Sequence, residues 1–216
     1  MLHLTKLNIR SYSEAETEIL SLGNLLGEFE RKLSNNGSLW IICENYVSPI
    51  ELIPFPLMLA DEIPKKTKWR LRNILTIYRE GGKIKDKPLA SSYCSVLFFV
   101  KNKTYHFDKD PARLPYVFKD IEWGKRKNGS SGYHGKESIR YGTKGRDPGN
   151  VVYFELRDST ARLISVSGFS DNDVFEFILK IASGPSWAVY TNSKTAQLLI
   201  EKMDRTFRFV DYHETE

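Results

Sequence analysis

Apolar residues recur along this chain at two different spacings, which predict alternating helices and strands. Between Glu14 and Leu33 the intervals are three or four residues, so one helix face carries Ile19, Leu22, Leu26, Phe29 and Leu33. Asn35-Asn36-Gly37 is typical of a helix end. Two further helices are predicted within "PIELIPFPLMLADEI" and "DVFEFILKIAS". Pro54 and Pro56 make the first half of the former irregular, and Asp171 or Asn172 is expected to cap the latter.

The predicted strands are short and mostly apolar. The run "SLWIIC" is apolar throughout after its first residue, as in a strand that is covered on both faces of a parallel sheet. Further strands are predicted for "WRLRNILTIYR", "SSYCSVLFFVKN", "NVVYFELR" and "ARLISVS". The start of the chain reads as an ordinary edge strand built on Leu2, Leu4 and Leu7. This alternation predicts an α/β fold with a mostly parallel sheet, and the core is expected to include Leu39, Ile41, Phe98, Val100, Ile178, Val189 and Phe209.

The last unit of the chain has the pattern of a cofactor-binding turn without its glycines. Trp187 to Tyr212 reads as strand, short loop, helix and strand. In an α/β protein the first turn of such a unit is where a nucleotide-like cofactor sits, and glycines there let the backbone approach the ligand closely. The loop from Tyr190 to Thr195, "YTNSKT", contains no glycine. The pattern therefore predicts the fold of a cofactor domain but not the cofactor.

Composition places the chain among ordinary globular proteins. Its residues are 41% hydrophobic and 27% charged, and the net charge is +5. A length of 216 residues is enough for one sizeable core, or at most two small domains. No apolar run approaches the roughly 18 residues that a membrane span needs, and the N-terminus lacks a signal-peptide core. Cys43 and Cys94 both lie in apolar runs and are expected to be buried free thiols. These features predict a cytoplasmic protein without a membrane partner.

A glycine-rich segment from Tyr116 to Asn150 interrupts the apolar pattern and carries much of the positive charge. Between Lys119 and Arg146 there are eight basic and three acidic residues. Because cations neutralise phosphates and aromatic faces stack on bases, this composition suits DNA or RNA, although a solvated loop would have a similar composition. The candidate nucleic-acid-binding residues are Lys125, Arg126, Lys127, Tyr133, Lys136, Arg140, Tyr141, Lys144 and Arg146.

The order of these segments resembles the β-class DNA amino-methyltransferases, which methylate the exocyclic amino group of adenine or cytosine with S-adenosylmethionine. The family's aromatic run is matched by Phe98, Phe99, Lys101, Tyr105, Phe107, Asp108 and Arg113, and its "NPGDVW" run by residues 147–152 ("DPGNVV"). The resemblance spans about Glu14 to Tyr212. It implies a Rossmann-like methyltransferase domain in two parts, 1–115 and 151–216, around a target-recognition-like loop region, 116–150.

The residues that the family uses for chemistry are missing. Its catalytic motif is Asp, Asn or Ser followed by two prolines and an aromatic residue, but no two of the nine prolines here are adjacent. Asn8 and Ser11 are the nearest polar candidates, and neither is followed by a proline pair. In the cofactor loop, Tyr190, Thr191 and Lys194 stand where the family has an acid, a proline and a glycine, so the loop is expected to have decayed. Asp211 is the candidate relic of the acid that binds the cofactor ribose.

The resemblance therefore implies a catalytically inactive, methyltransferase-like subunit, in the context of restriction-modification. It would form a heterodimer or larger assembly with an active methyltransferase, which would hold the S-adenosylmethionine, and would add contacts to DNA or RNA. No cofactor, metal or catalytic residue is expected on this chain. The alternative is an active or split DNA amino-methyltransferase whose catalytic motif is supplied by a partner chain.

Overall fold

The computed structural model describes residues 1–5, 7–79, 92–114, 144–157, 163–210 and 212. Four α-helices lie in these ranges: α1 (Tyr12–Lys32), α2 (Phe55–Lys66), α3 (Asp171–Ala182) and α4 (Lys194–Lys202). The strands are β1 (Leu2–Leu4), β2 (Ser38–Cys43), β3 (Tyr46–Val47), β4 (Leu52–Ile53), β5 (Arg70–Tyr78), β6 (Tyr93–Val100), β7 (Val151–Val152), β8 (Phe154–Arg157), β9 (Leu163–Ser167), β10 (Ala188–Thr191) and β11 (Thr206–Phe209). A short 3₁₀ turn covers Asp110–Ala112.

The central sheet is mixed. Its order is β1-β2-β6-β5-β7, and β6 runs antiparallel to both β2 and β5. The strands β10 and β11 pair in parallel and lie beside β1, where the nitrogen of Met1 donates to the carbonyl of Tyr190 at 2.5 Å. These strands thus form one layer, β11-β10-β1-β2-β6-β5-β7. The predicted α/β class with a mostly parallel sheet is confirmed, since four of the five strands of the central sheet run in the same direction and only β6 is antiparallel to them.

Two hydrophobic clusters cover the two faces of this layer. Helices α1 and α2 pack on one face, where Leu22, Phe55 and Trp69 are fully buried. Helices α3 and α4 pack on the other face through residues such as Phe175 and Ile200. Successive side chains of β2 point to opposite faces of the sheet. Its odd-numbered residues from Leu39 onward belong to the first cluster and its even-numbered residues Trp40 and Ile42 to the second. The apolar run of β2 therefore reflects a strand that is covered on both sides, as predicted.

Several details differ from the expectations. The strand β1 is internal, since it lies between β2 and β10, and Leu2 and Leu4 are fully buried. The N-cap of α3 is Ser170, whose side chain accepts from the N–H of Asp173 in a capping box, rather than Asp171 or Asn172.

Of the seven residues predicted to form the core only Phe209 is not buried, because it ends β11 at the edge of the layer. The predicted strand over residues 150–157 is divided into β7 and β8.

Candidate functional site

The carboxyl ends of β10 and β1 form the edge at which this fold would bind a ligand. From β10 the chain continues through α4 to β11 on one side, and from β1 it continues through α1 to β2 on the other side. Ligands in open α/β sheets bind in the crevice outside the carboxyl ends of the strands, where such connections diverge. The segment after β10 is also the glycine-free loop that the sequence placed at this position.

The side chain of Asn192 fills this edge and connects three segments of the chain. Its Oδ1 accepts the backbone N–H of His3 at 2.8 Å. Its Nδ2 donates to the carbonyls of His3 at 3.0 Å and Tyr212 at 2.8 Å. The residue is completely buried. Its amide hydrogen-bonds to β1 and to the segment after β11, as a backbone peptide group would in a sheet. We refer to these three hydrogen bonds as the Asn192 clamp.

The backbone N–H groups at the start of α4 are likewise hydrogen-bonded by nearby side chains. Ser193 is the N-cap and its Oγ accepts the N–H of Ala196 at 3.3 Å. The hydroxyl of Thr191 accepts the N–H of Ser193 at 3.2 Å, and both hydroxyl residues are buried. The expected loss of cofactor binding by this loop stays a prediction, and its Thr-Asn-Ser run forms an ordered set of internal hydrogen bonds. A run of three small polar residues after a buried strand was the available sequence signal.

A second polar group connects β1 to the start of α3. The Nε2 of His3 lies 2.7 Å from the Oγ1 of Thr5 and 3.9 Å from a carboxylate oxygen of Asp171. The same carboxylate accepts from Arg79 at 2.5 Å, and the imidazole packs edge-on against Phe175. Asp171 belongs to the first turn of α3, where a negative charge is favoured by the helix dipole. These contacts position α3 over the sheet.

Both thiols are unreactive in this environment. Cys43 and Cys94 are buried free cysteines, as the sequence predicted. Burial raises the pKa of Cys94 to about 12, although the nearby Arg79 lowers it in part. Burial also raises the pKa of Cys43. Because the thiolate is the nucleophilic form, neither cysteine supplies a nucleophile near neutral pH.

The segment after β1, where the family carries its catalytic motif, is used for structure. Ser11 is the N-cap of α1, and its Oγ accepts the N–H of Glu14 at 3.2 Å. Asn8 is exposed and accepts from the Nε of Arg10 at 3.0 Å. Tyr46 donates to the carbonyl of Leu4 at 2.7 Å and accepts from the N–H of Leu7 at 3.3 Å, which fixes the path of the chain. Both sequence candidates thus make local hydrogen bonds within the segment that leads into α1.

The residues at this edge do not fit S-adenosylmethionine. A cradle for the methionine part needs backbone that a ligand can approach, which glycine provides and a side chain obstructs. Here the amide of Asn192 reaches from the end of β10 to β1 and to Tyr212, and Thr191, Asn192 and Ser193 are all buried. Their hydrogen bonds are to the protein itself, so in this arrangement they offer no ligand-binding group.

Most of the predicted nucleic-acid and ribose residues lie outside the described residues: Lys125, Arg126, Lys127, Tyr133, Lys136, Arg140, Tyr141 and Asp211. Two are described, and both are paired with carboxylates. Lys144 contacts Asp110, and Arg146 donates to Glu155 at 2.8 Å. Their backbone lies beside the 3₁₀ turn, because Leu114 and Arg146 form a bridge. Any uncompensated positive charge of this segment must therefore come from its other residues.

Metal-ion sites and membrane-spanning helices are absent from the described part of the chain. Within those ranges, no cluster of three or more His, Cys, Asp and Glu side chains is placed to hold a metal ion. Among the same residues, no helix combines the length and the apolar character that crossing a bilayer requires.

We expect Asn192→Ala to lower the free energy of unfolding by about 2–4 kcal/mol, because it leaves buried backbone groups of β1 without partners. Urea denaturation followed by circular dichroism measures the change. Asn8→Ala is the matched control, since it removes an exposed amide and should change stability by less than about 0.5 kcal/mol. Equal, small effects of the two substitutions would show that the clamp does not stabilise the fold.

Comparison with known proteins shows similarity in structure only. No protein-family model matches the chain, and no curated protein matches it. Among solved structures, PvuII DNA methyltransferase (cytosine-N4-specific) gives a TM-score of 0.62 at 11% identity, over 97% of this chain and 72% of that one. A Thermus thermophilus protein described as a DNA modification methylase gives 0.60 at 11% identity, over 97% and 78%. The complex of M1.HpyAVI with SAM gives 0.53 at 13% identity, over 98% and 81%.

These similarities cover nearly the whole chain, which agrees with the extent of the resemblance inferred from its segments. At 11–13% identity they establish the fold and leave the chemistry to the residues of this chain. The protein therefore has the Rossmann-like α/β fold of DNA methyltransferases, with the Asn192 clamp at the edge where that fold would hold a ligand.

Proposed function

We propose that this chain is a catalytically inactive, methyltransferase-like subunit that assembles with an active S-adenosylmethionine-dependent methyltransferase and adds DNA or RNA contacts. The observation that carries this proposal is the Asn192 clamp. It occupies the ligand edge of a methyltransferase fold with three hydrogen bonds internal to the protein. The missing proline pair and the structural use of Ser11 support the same conclusion.

The nucleic-acid part of the proposal depends on the basic loop region. Lys144 and Arg146, at its described end, are already paired with Asp110 and Glu155. The consecutive cations Lys125, Arg126 and Lys127 are then the first choice for phosphate contacts, since only Asp120 and Glu122 lie close to them in sequence. Each phosphate that they neutralise on duplex DNA should contribute about 0.9 to the slope of log K against log salt.

The assembly part is supported by an apolar surface on the hairpin β8–β9. Leu156, Leu163, Ile164 and Val166 are all about half exposed. A two-stranded hairpin is only marginally stable alone, and exposed apolar surface of this kind often marks a protein interface. An intact methyltransferase subunit is the proposed occupant, and a stable pair would bury on the order of 1,600 Å².

We expect the isolated chain neither to bind S-adenosylmethionine measurably at micromolar concentration nor to transfer its methyl group. Isothermal titration with the cofactor tests binding, and incubation of duplex DNA with tritium-labelled cofactor tests transfer. An active methyltransferase in the same buffer is the positive control. Micromolar binding, or methylation by the chain alone, would favour the alternative of an active or split enzyme.

The double substitution Ile164→Asp/Val166→Asp should weaken co-purification of the partner from the native host. Burying unpaired carboxylates costs several kcal/mol, so affinity should fall by at least about 100-fold. Leu198→Asp is the matched control, because it charges an exposed apolar residue on α4. Unfolding curves should be unchanged for both variants. A partner that is retained equally by both would exclude the hairpin as the interface, and the absence of any partner would exclude the assembly itself.

Replacing Lys125, Arg126 and Lys127 with Ala should raise the KM for nucleic acid of the reconstituted pair and flatten its salt dependence. Assembly should persist, because the partner surface is proposed to be the hairpin. The charge-matched control replaces Lys65, Lys66 and Lys68 with Ala. It removes the same number of positive charges, from lysines that already pair with acidic residues of α1 and α2. If KM and the salt slope remain as in the unmodified pair, the loop makes no phosphate contact.

A further inference from the structure

A bulge in β5 turns two consecutive polar residues toward the same face of the sheet. Pairing with β6 shifts between Leu71 and Asn73, so Arg72 is the extra residue. Leu71 packs with the α1–α2 cluster, whereas Leu75 belongs to the α3–α4 cluster, four residues later. In a regular strand Leu71 and Leu75 would share a face. The bulge therefore brings Arg72 and Asn73 together on the α3 side, and bulges commonly re-aim side chains near functional sites.

An aromatic stack ends beside these residues. Trp40 and Phe98 stack with ring centroids 4.1 Å apart, and Phe107 lies 5.6 Å from Phe98. The planes of Phe98 and Phe107 are within 19° of parallel, and those of Trp40 and Phe107 within 6°. Trp40 and Phe98 are buried, but Phe107 is 43% exposed. Phe107 thus lies beside the Trp40–Phe98 stack and adds exposed aromatic surface, against which one more ring could pack.

These groups line a cleft of about 310 Å³ between β5, the 105–112 segment and the 147–150 turn. That volume is at the lower end of the roughly 300–1,000 Å³ range of small-ligand sites. Its charged lining residues are Arg72, Lys109 and Asp147, an excess of one positive charge. Lys109 pairs with Asp147 at 2.9 Å on an exposed surface, where an anionic ligand can compete for the ammonium.

The polar groups of the cleft retain capacity for a ligand. The Nε of Arg72 donates to the hydroxyl of Tyr105 at 2.8 Å, a neutral partner that leaves the guanidinium charge uncompensated. Within the described part of the chain its terminal nitrogens make no further hydrogen bond. The Oδ1 of Asn73 accepts the N–H of Ile74 at 2.9 Å, while its amide donors make none among those same residues. A fixed cation, a free amide and an aromatic face together suit a phosphate attached to a base.

We propose that this cleft binds one nucleotide, with its base stacked on Phe107 and its phosphate held by Arg72 and Lys109. The nucleotide is either an unpaired unit of a nucleic-acid strand or a free nucleotide. In the former case the site deepens the nucleic-acid part of the proposed function and rests on it. The cleft lies beside the 147–150 turn, so a strand that contacts the basic loop region could continue into it.

Binding is tested with a fluorescein-labelled oligodeoxyadenylate strand, by anisotropy, and with adenosine monophosphate, by calorimetry. Phe107→Ala should weaken binding by roughly 5- to 100-fold, the range for loss of one base stack, and Phe107→Leu should weaken it nearly as much. Arg72→Gln should lower the salt slope for the strand by about 0.7. Tyr12→Ala and Lys103→Gln are the controls: Tyr12 is as exposed as Phe107, at 40%, and Lys103 is an exposed cation outside the cleft.

The outcomes separate the two ligand sources and the two proposals. Tighter binding of the strand than of the monophosphate supports the strand, and equal affinities support the free nucleotide. The proposal is overturned if neither probe binds the unmodified chain, or if Phe107→Ala binds as tightly as Tyr12→Ala while both remain folded. Should the cleft variants have no effect while the variant at 125–127 still raises KM for nucleic acid, the proposed function stands without this site.

Discussion

The arrangement of the sheet depends on an amide that connects the two ends of the chain. The strand β1 has three residues, and its backbone must pair on both sides to be buried. The strand β2 supplies one side through regular parallel pairing. On the other side the short strand β10 ends beside His3, and the side chain of Asn192 completes the pairing that the backbone does not make. The pair β10–β11 is thereby held against the rest of the layer.

This use of the strand ends changes where a ligand or partner can act. In a methyltransferase fold the crevice at the carboxyl ends is the natural ligand site, but here its polar groups are directed at the protein itself. Among the outward-facing features of the described residues are the apolar side chains of β9 and the cleft between β5 and Phe107. A fold can retain its core while the surfaces available for binding differ.

The sequence predicted those features that depend on neighbouring residues. The spacing of Ile19, Leu22 and Leu26 predicted α1, and the apolar run at 38–43 predicted β2 with its bounds. Local patterns could not reveal that β1 is internal, because its neighbour β10 comes from the other end of the chain. Phe209 was misassigned for a similar reason, since its exposure depends on β11 lying at the edge of the layer.

The site was harder to predict than the fold because its partners are backbone atoms of distant segments. The absence of glycine between Tyr190 and Thr195 predicted that a cofactor would not bind there, but it gave no indication of the Asn192 clamp. The bulge at Arg72 could not be predicted either. It changes the face of the sheet to which the side chains of β5 point, although the composition of this strand is ordinary. Asp211 and the loop cations outside the described residues stay predictions.

The Asn192 clamp also alters how this fold responds to its surroundings. A protein that binds a small molecule only in its native state becomes more stable as that molecule becomes more abundant, by mass action. Here the group that links β1 to β10 is the side chain of Asn192, which is covalently attached to the protein. Its effective concentration is therefore constant. The hydrogen bonds of this link are therefore completed by the protein itself, without a bound small molecule.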